Sequence, residues 1–442
     1  MWLVKVNNLL KVIEVFCVVL GKLHFEFFGR RYAYATRVKV ASEQFAKLKK
    51  LLIVSYDEIP FYRTKFEAAG FNPHTDFNTI DDFCLVPILT KHEARLNQSA
   101  LVNVKRSRFS LEFRTSGSTG HPFKALISPA HWIIEQSCVW RHWNWAGYKF
   151  RDRMAIVRSH VPKDESDLIK WDKLRNFIYF SPFHLTDDHI SFYLQRMIEL
   201  KVKFIRGYPS SILAIASYVN RHPDSAIPNF SGILTASEFL GNAQSKFIES
   251  HLGARIFNHF GLAEQVVMFG SCELGGQLHN YQEYGYLELL DTDNERTRRI
   301  VGTNLHNLAM PLIRYDTGDL ADTSVTTCPC GRTSPSVTNV IGRQDSVIEL
   351  DDGSSIPVTN FYTMFEYYGA YFSSWQLVQQ CPGSLKIIVD LHDNACRDAV
   401  EVLLKDDMHK RLNDRCTLSF DFSGSFMLVG EGKKNPFLKV SK

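Results

Sequence analysis

Short apolar runs alternate with longer amphipathic segments between residues 154 and 258. In chain order they predict these elements: strand 154–158, helix 187–200, strand 203–206, which runs into residues 207–211 and a helix to about 220, strand 232–236, helix 242–251 and strand 255–258. The alternation predicts a parallel, doubly wound α/β sheet. Ligands bind at the carboxyl ends of strands in such sheets, so residues 207–211, 237–238 and 259–264 are expected to line a ligand site.

The rest of the chain predicts helices before this region and two further units after it. Residues 1–70 carry apolar positions at helical spacing. Beyond about residue 284, short runs predict a β-rich subdomain with these strands: 284–290, 299–301, 312–315 and 320–325. Beyond about residue 346, three strands and a helix near 395–412 predict a small α+β unit. The predicted fold class is therefore α/β, with a large N-terminal domain (1–344) and a small C-terminal domain (345–442).

Composition describes an ordinary globular protein with room for a large core. The chain has 442 residues, 45% of them apolar, and a formal net charge of +4. So small a charge gives no reason to expect nucleic acid as a partner. The nine cysteines are an odd number and no secretory signal precedes them, which favours a reducing cytoplasm. Monomer and dimer both remain open.

Residues 9–20 are apolar, but Lys11 and Glu14 interrupt them. Such a segment is too short and too charged to span a bilayer. It predicts an amphipathic helix packed on the domain. A peripheral membrane contact is also left open, since basic residues lie near this segment: Lys5, Lys11, Lys22, Arg30 and Arg31.

A run of small and hydroxylated residues follows Arg114: Thr115, Ser116, Gly117, Ser118, Thr119 and Gly120. Backbone N–H groups in such a run can approach a phosphate closely, and the hydroxyls can donate to it. A flexible Gly/Ser linker would have a similar composition. Strand-like sequence on both sides favours a phosphate loop within a domain.

Two further elements carry groups suited to a nucleotide. In Asn258–Glu264, Phe260 can stack on a purine, Gly261 leaves room for the base, and Glu264 can hold Mg²⁺. In Arg314–Asp319, a carboxylate in a tight turn suits the two ribose hydroxyls. The alternatives are that Glu264 is an ordinary solvated glutamate and that Asp319 only caps a turn.

Four residues suggest a metal site: Cys272, His279, Cys328 and Cys330. Cysteines one residue apart do not pair comfortably with each other, but they can share a tetrahedral ion. Four protein ligands leave no open position, which predicts a structural zinc ion.

These elements, in this order, resemble the motifs of the adenylate-forming superfamily of acyl-CoA ligases. The run at 115–122 resembles its phosphate loop, 258–264 its Tyr-Gly-x-Thr-Glu element, and 314–319 its Tyr-Arg-Thr-Gly-Asp element. The pairing of Pro60-Phe61-Tyr62 with Pro87-Ile88-Leu89-Thr90-Lys91 resembles the phenylacetate–CoA ligase-like subgroup, which is often associated with capsular polysaccharide synthesis. Similar Cys/His positions occur in that subgroup.

The resemblance implies roles for individual residues. It assigns adenine to His259, Phe260 and Gly261, Mg²⁺ to Glu264, and the ribose to Asp319. Arg343, in the element Ile341–Asp345, would contact the nucleotide on its ribose and phosphate side. Asp345 would mark the hinge of a swivelling small domain. In Gly430–Pro436, Lys433 would reach the α-phosphate and the substrate carboxylate, with Lys434 as its competitor.

Two positions depart from the family pattern. Ala263 stands where a hydroxyl residue would touch the α-phosphate. Lys124 is displaced by one from the lysine that ends the loop in the wider superfamily, and no role is assigned to it.

The implied reaction is AMP-forming activation of a carboxylic acid with ATP and Mg²⁺, followed by transfer to a thiol such as coenzyme A. The resemblance also implies an active site between the two domains. Three alternatives remain open: transfer to an amine such as an amino sugar, nucleotide binding without turnover, and a metal-binding interaction module. The sequence does not identify the acid.

Overall fold

The computed structural model gives the fold of most of the chain. It describes residues 16–29, 32, 34–114, 123–163, 165–274, 276–292, 294–323, 327–343, 347–351, 355–358, 361, 364–365, 367–412, 414–429 and 433–440. Among these, no helix combines the length and the apolar character needed to cross a bilayer.

The main helices and the strands are numbered here in chain order. The helices are α1 (Arg37–Glu58), α2 (Pro60–Ala68), α3 (Lys91–Leu96), α4 (Pro129–Trp145), α5 (Asp187–Glu199), α6 (Pro209–Arg221), α7 (Asn242–Leu252) and α8 (Arg397–Leu412). The strands before residue 300 are β1 (Leu111–Arg114), β2 (Lys124–Ile127), β3 (Met154–Val157), β4 (Ile169–Asp172), β5 (Phe177–Phe180), β6 (Phe204–Gly207), β7 (Gly232–Ala236), β8 (Ile256–Gly261), β9 (Met268–Ser271), β10 (Leu278–Asn280), β11 (Gly285–Asp291) and β12 (Thr297–Asn304). The later strands are β13 (Tyr315–Asp322), β14 (Ser336–Val337), β15 (Asn339–Arg343), β16 (Val347–Glu349), β17 (Ser355–Pro357), β18 (Phe372–Cys381), β19 (Ser384–Leu391), β20 (Thr417–Asp421), β21 (Leu428–Val429), β22 (Lys433–Lys434) and β23 (Phe437–Lys439).

The chain forms two compact units, each built from two segments. Unit 1 contains residues 1–145 and 259–340, and unit 2 contains residues 146–258 and 341–442. The division of the sequence into domains 1–344 and 345–442 stays a prediction.

Unit 1 packs its helices on antiparallel strands. β1 pairs with β2, β9 lies between β8 and β10, and β12 lies between β11 and β13. Thr36 caps α1 by accepting a hydrogen bond from the Lys39 backbone N–H, and Pro60 occupies the first turn of α2. The hydroxyl of Tyr62 donates to the Pro311 carbonyl at 2.7 Å. The early helices thereby become part of the core of this unit.

The first segment of unit 2 is the predicted parallel sheet. Its strand order is β7–β6–β3–β5–β4, and the pairs β6–β7, β3–β6 and β3–β5 are parallel. All residues of β3 and β7 are buried, as expected for strands covered on both faces. The edge strand β4 runs antiparallel to β5, and the sequence pattern did not predict either of these two strands.

The second segment of unit 2 has a hydrophobic core of its own. β18 and β19 form a hairpin, and β23 and β20 add to it in parallel, in the order β20–β19–β18–β23. Helix α8 buries Val400, Leu404 and Met408. These elements confirm the predicted α/β class and the three strands and helix expected after residue 346.

One predicted strand is wrong. Residues 312–314 do not form a β-strand, and β13 begins only at Tyr315. Arg314 adopts φ 46°, in the left-handed region, which breaks a strand. Its guanidinium is held in this conformation by Glu288, with Nη2 and Oε1 2.8 Å apart.

Candidate functional site

The predicted phosphate loop lies outside the described residues. Only its flanks are seen: β1 and β2 pair antiparallel with Arg114 opposite Lys124. Phe123, the residue after the loop, is fully buried. The structure therefore confirms the predicted strand-like flanks, while the roles of Thr115, Ser116, Gly117, Ser118, Thr119 and Gly120 stay predictions.

The predicted adenine element forms the end of β8 and the turn after it. Phe260 is half-buried and lies opposite Phe269 of β9, with the two ring centroids 5.9 Å apart. His259 precedes it and is also half-buried, with its ring centroid 5.6 Å from that of His142. Gly261 ends the strand and is exposed.

Glu264 follows in the turn, and its side chain is only 2% exposed. Its Oε1 accepts a hydrogen bond from the Tyr315 hydroxyl at 2.9 Å and lies 3.5 Å from Lys91 Nζ. Burial and this carboxylate together raise the pKa of Tyr315, so its hydroxyl keeps the proton that it donates. This carboxylate, buried between a phenol and an ammonium group, is therefore fixed in place and is not a solvated glutamate.

The predicted ribose element forms a tight turn within β13. Gly318 has φ 73°, where glycine is favoured, and its N–H donates to Asp316 Oδ1 at 3.0 Å. The Asp319 N–H donates to the Thr317 hydroxyl at 3.0 Å, and that hydroxyl donates to the Ile300 carbonyl. Asp319 is 7% exposed. The backbone around its carboxylate is thus firmly held.

Lys91 joins these two elements, and sequence reasoning gave it no role. Its Nζ contacts Glu264 and also donates to the Thr317 carbonyl at 3.3 Å. The residue is placed by Leu89, which bridges to Tyr315, and by Thr90, which caps α3. The motif Pro-Ile-Leu-Thr-Lys was the available signal, because a lysine after a helix cap is held at a defined position.

Two other predicted residues are located only by their backbone. Arg343 ends β15, and Lys433 lies in β22, paired with Val429 of β21. Their side chains, like the whole of Asp345, lie outside the described part of the chain. The roles assigned to Arg343, Lys433 and Asp345 stay predictions.

Lys434, the competitor of Lys433, is 8% exposed. Its Nζ donates to the Ser374 hydroxyl and to the Trp375 carbonyl, and lies 4.3 Å from the centre of the Phe426 ring. Burial lowers its pKa to about 8, although two carboxylates oppose the shift. Its ammonium group therefore contacts other residues of the second segment of unit 2, residues 341–442.

Two of the predicted strand-end segments meet at Glu238. Its Oε2 accepts from the Ser210 N–H at 2.9 Å, in the first turn of α6, where a helix favours negative charge. Its Oε1 accepts from the Lys434 N–H at 2.7 Å. Burial raises the pKa of Glu238, and these hydrogen bonds oppose the shift. Glu238, just beyond the carboxyl end of β7, therefore holds the backbone of Lys434, the residue next to Lys433.

The predicted metal ligands come together in unit 1. Cys272 follows β9 and His279 lies in β10, while Cys328 and Cys330 flank a turn. The candidate ligand atoms all lie within 4.8 Å of one another.

Their geometry fits a tetrahedral ion. The Sγ atoms of Cys272 and Cys328 are 3.6 Å apart, close to the ~3.8 Å expected between thiolates bound to one zinc ion. This distance is far above that of a disulfide. His279 turns Nε2 toward Cys330, at 3.4 Å from its Sγ, while Nδ1 contacts the Ser334 hydroxyl. Such a second contact orients a ligating imidazole.

Sequence comparison finds two relatives along most of the chain, and no family model matches it. Phenylacetate-coenzyme A ligase of Thermus thermophilus is 22% identical over 388 residues, covering 84% of this chain and 86% of the relative. Protein CapK of Staphylococcus aureus is 20% identical over 372 residues, covering 80% of each.

Structure comparison finds the same fold in 2-hydroxyisobutyryl-CoA ligase. In its postadenylation state with an acyl adenylate, that enzyme matches with a TM-score of 0.70 and 19% identity, covering 93% of this chain and 92% of the other. In an open conformation with 2-HIB-AMP and CoA, it matches with a TM-score of 0.56, covering 92% and 93%. In the order of its motifs, in its two relatives and in its fold, the chain is similar to the adenylate-forming ligases of the phenylacetate–CoA ligase-like subgroup.

Proposed function

We propose that this protein activates a carboxylic acid with ATP, forming an acyl adenylate and pyrophosphate, and then transfers the acyl group to a thiol such as coenzyme A. The observation that carries the proposal is the cluster in unit 1. There the buried carboxylate of Glu264, the ammonium group of Lys91 and the turn that presents Asp319 are tied together by direct hydrogen bonds and an ion pair.

In the first step, a carboxylate oxygen of the acid attacks the α-phosphorus and pyrophosphate leaves. In the second step, the thiolate attacks the acyl carbon and AMP leaves. Catalysis of this kind depends on positioning and on neutralising charge in the transition state. Asp319 would bind the ribose hydroxyls, Phe260 would stack on adenine, and Gly261 and His259 would line the base. Arg343 would contact the ribose and phosphate side.

Three further assignments rest on the family resemblance. The hydroxyls and N–H groups of residues 115–120 would bind phosphate, and Lys433 would place positive charge at the α-phosphate and the substrate carboxylate. Residues 345–442 would form the swivelling domain that brings Lys433 to the first step. A compact lysine charge suits this task.

Two metal ions complete the proposal. Glu264 would hold Mg²⁺, which would neutralise charge on the nucleotide phosphates. Its position supports this, because a carboxylate that is buried and fixed in place is a suitable oxygen ligand. Cys272, His279, Cys328 and Cys330 would hold a structural Zn²⁺, since three thiols and an imidazole at these distances suit zinc.

Relatives support coenzyme A over an amine as the acceptor. The Thermus relative is named as a coenzyme A ligase, and 2-hydroxyisobutyryl-CoA ligase has been crystallised with CoA. The resemblance to the phenylacetate–CoA ligase-like subgroup, which is often associated with capsular polysaccharide synthesis, supports a place in surface polysaccharide biosynthesis. The cysteines that the structure describes are free thiols, which supports a cytoplasmic location.

A screen of carboxylic acids by ATP–pyrophosphate exchange tests this function. We expect exchange that depends on one class of acid and on Mg²⁺. Supplying coenzyme A should then yield a thioester and AMP in equal amounts. Exchange without thioester, but with an amide formed from an amino sugar, would make the protein an amide ligase. No exchange with any acid, despite tight ATP binding, would contradict the proposed activity.

A further inference from the structure

The N-terminal helical segment, residues 16–29, has a small-residue face buried against α4. Cys17, Gly21, Phe25 and Gly29 are all buried on this face. A Cβ at Gly21 would lie 2.4 Å from Gln136 Cβ, so only glycine permits the close approach. Arg141 Nη1 donates to the Gly29 carbonyl at 3.2 Å. The segment is thereby held on the domain with a fixed orientation.

The opposite side of this segment is apolar and exposed. It presents five large side chains, with their exposed fractions: Phe16 60%, Val19 54%, Leu23 47%, Phe27 69% and Phe28 63%. The spacing from 16 to 19, 23 and 27 places four of them along one side of the segment. Phe28 follows in the π-helical turn Phe25–Gly29, where Glu26 is also exposed. We name these five residues the N-terminal apolar face. Single exposed apolar residues are common on soluble proteins, but a contiguous row of them marks an interaction surface.

The positive charge of the chain is concentrated in the stretch of sequence that contains this face. Residues 1–39 contain seven Lys or Arg and two Asp or Glu, a net charge of +5. The whole chain carries +4, so the other residues together carry −1. A basic segment with an apolar face favours a surface that is both negatively charged and apolar.

We propose that the N-terminal apolar face docks the protein on an anionic lipid bilayer, with the helical segment lying in the plane of the membrane surface. Aromatic and aliphatic side chains would enter the boundary between headgroups and acyl chains. Basic residues of the same stretch of sequence, such as Lys22, would contact anionic headgroups. The same positive charge disfavours a second copy of this chain as the occupant, because like charges would meet across the interface.

Vesicle flotation of the full-length protein tests this inference, with phosphatidylcholine vesicles with and without phosphatidylglycerol. We expect binding only to the vesicles that contain phosphatidylglycerol. Raising the salt concentration from about 0.1 M to about 1 M shortens the screening length to about 3 Å and should release most of the protein. Phe27→Ser combined with Phe28→Ser should lower the bound fraction at least about tenfold.

The matched control is Val104→Ser combined with Tyr367→Ser, which removes two side chains exposed by 84% and 81% elsewhere on the protein. It should bind as the wild type does. Both double variants should keep the wild-type melting temperature, because exposed positions contribute little to stability. Three results would overturn the inference: no flotation of the wild type, flotation of the Phe27/Phe28 variant equal to that of the wild type, or a solution dimer that the Phe27/Phe28 variant dissociates.

Discussion

Lys91 Nζ and Glu264 Oε1 lie 3.5 Å apart, and the carboxylate side of this pair is almost completely buried. The two residues come from motifs far apart in the chain, and Tyr315 of a third motif donates to the same oxygen. A charge in such a place is costly unless it is paired and hydrogen-bonded. We interpret the pair as the resting state of a metal ligand whose charge is balanced by lysine.

Lys91→Met should destabilise the nucleotide-free protein by about 1–3 kcal/mol, since Glu264 would keep only its hydrogen bond from Tyr315. Mg²⁺ with ATP should reduce this loss, because a cation at Glu264 would replace the missing charge. Urea unfolding with and without Mg·ATP measures both effects. Lys65→Met is the control: it breaks the more exposed ion pair with Glu93 and should cost about 0–1 kcal/mol under both conditions. An equal loss for Lys91→Met with and without Mg·ATP would count against this interpretation.

Asp319→Ala should weaken ATP binding by about 1–3 kcal/mol, because two ribose hydroxyls would lose their acceptor. Isothermal titration calorimetry gives the affinity directly. Asp291→Ala is a suitable control, since Asp291 is 90% exposed and pairs with Arg298 in another part of the sheet. Equal ATP affinities in all three proteins would exclude the ribose assignment.

Cys328→Ser combined with Cys330→Ser should remove one equivalent of zinc per chain and lower the melting temperature, because a structural zinc ion contributes to folding. Elemental analysis of protein purified without added metal is the measurement. The control is Cys84→Ser with Cys396→Ser, two exposed cysteines away from the cluster. Less than about a tenth of an equivalent in the wild type would refute the site.

Lys434→Met should change how stability depends on pH. The pKa of Lys434 falls from an ordinary 10.5 to about 8 on folding. Below pH 8 both states are charged, and the cost of burying the ammonium group is fully present. Between about pH 8 and 10.5 only the unfolded state keeps the proton, so the folded wild type becomes more stable. The free energy of unfolding of the wild type minus that of the variant, measured by urea unfolding, should rise with pH across this window. A flat difference would mean that Lys434 is not buried as described.

The parallel sheet and the C-terminal segment were predictable because their patterns are local. The run Gly232–Ala236 contains a single polar residue, Thr235, and the predicted strand has the observed bounds. The short strands β4 and β5 were missed because runs of only four residues, Ile169–Asp172 and Phe177–Phe180, are too short to identify a strand from their pattern alone. The strand predicted at 312–315 failed at Arg314, whose positive φ breaks the strand and whose guanidinium contacts Glu288 and the Cys84 carbonyl, both distant in sequence.

For the candidate site, the sequence provided the residues but not their connections. The four metal ligands and the Glu264 and Asp319 motifs could be named from residue type and spacing. Lys91 could be named only as part of the Pro-Ile-Leu-Thr-Lys motif, because its contact with Glu264 depends on a bridge between Leu89 and Tyr315 that no local pattern shows. The burial of Lys434 could not be predicted from the sequence either. Lys434→Met keeps an apolar stem of similar length and is therefore a suitable control for a substitution at the neighbouring Lys433.

The proposed role of Lys433 is tested most directly by measuring the two half-reactions of Lys433→Ala separately. We expect that carboxylate-dependent ATP–pyrophosphate exchange is abolished while ATP affinity stays near the wild-type value. We also expect that thioester formation from a supplied acyl adenylate changes far less, since a contact made mainly in the first transition state affects that step alone. Lys434→Met should retain exchange. Full pyrophosphate exchange by Lys433→Ala would contradict the proposed mechanism.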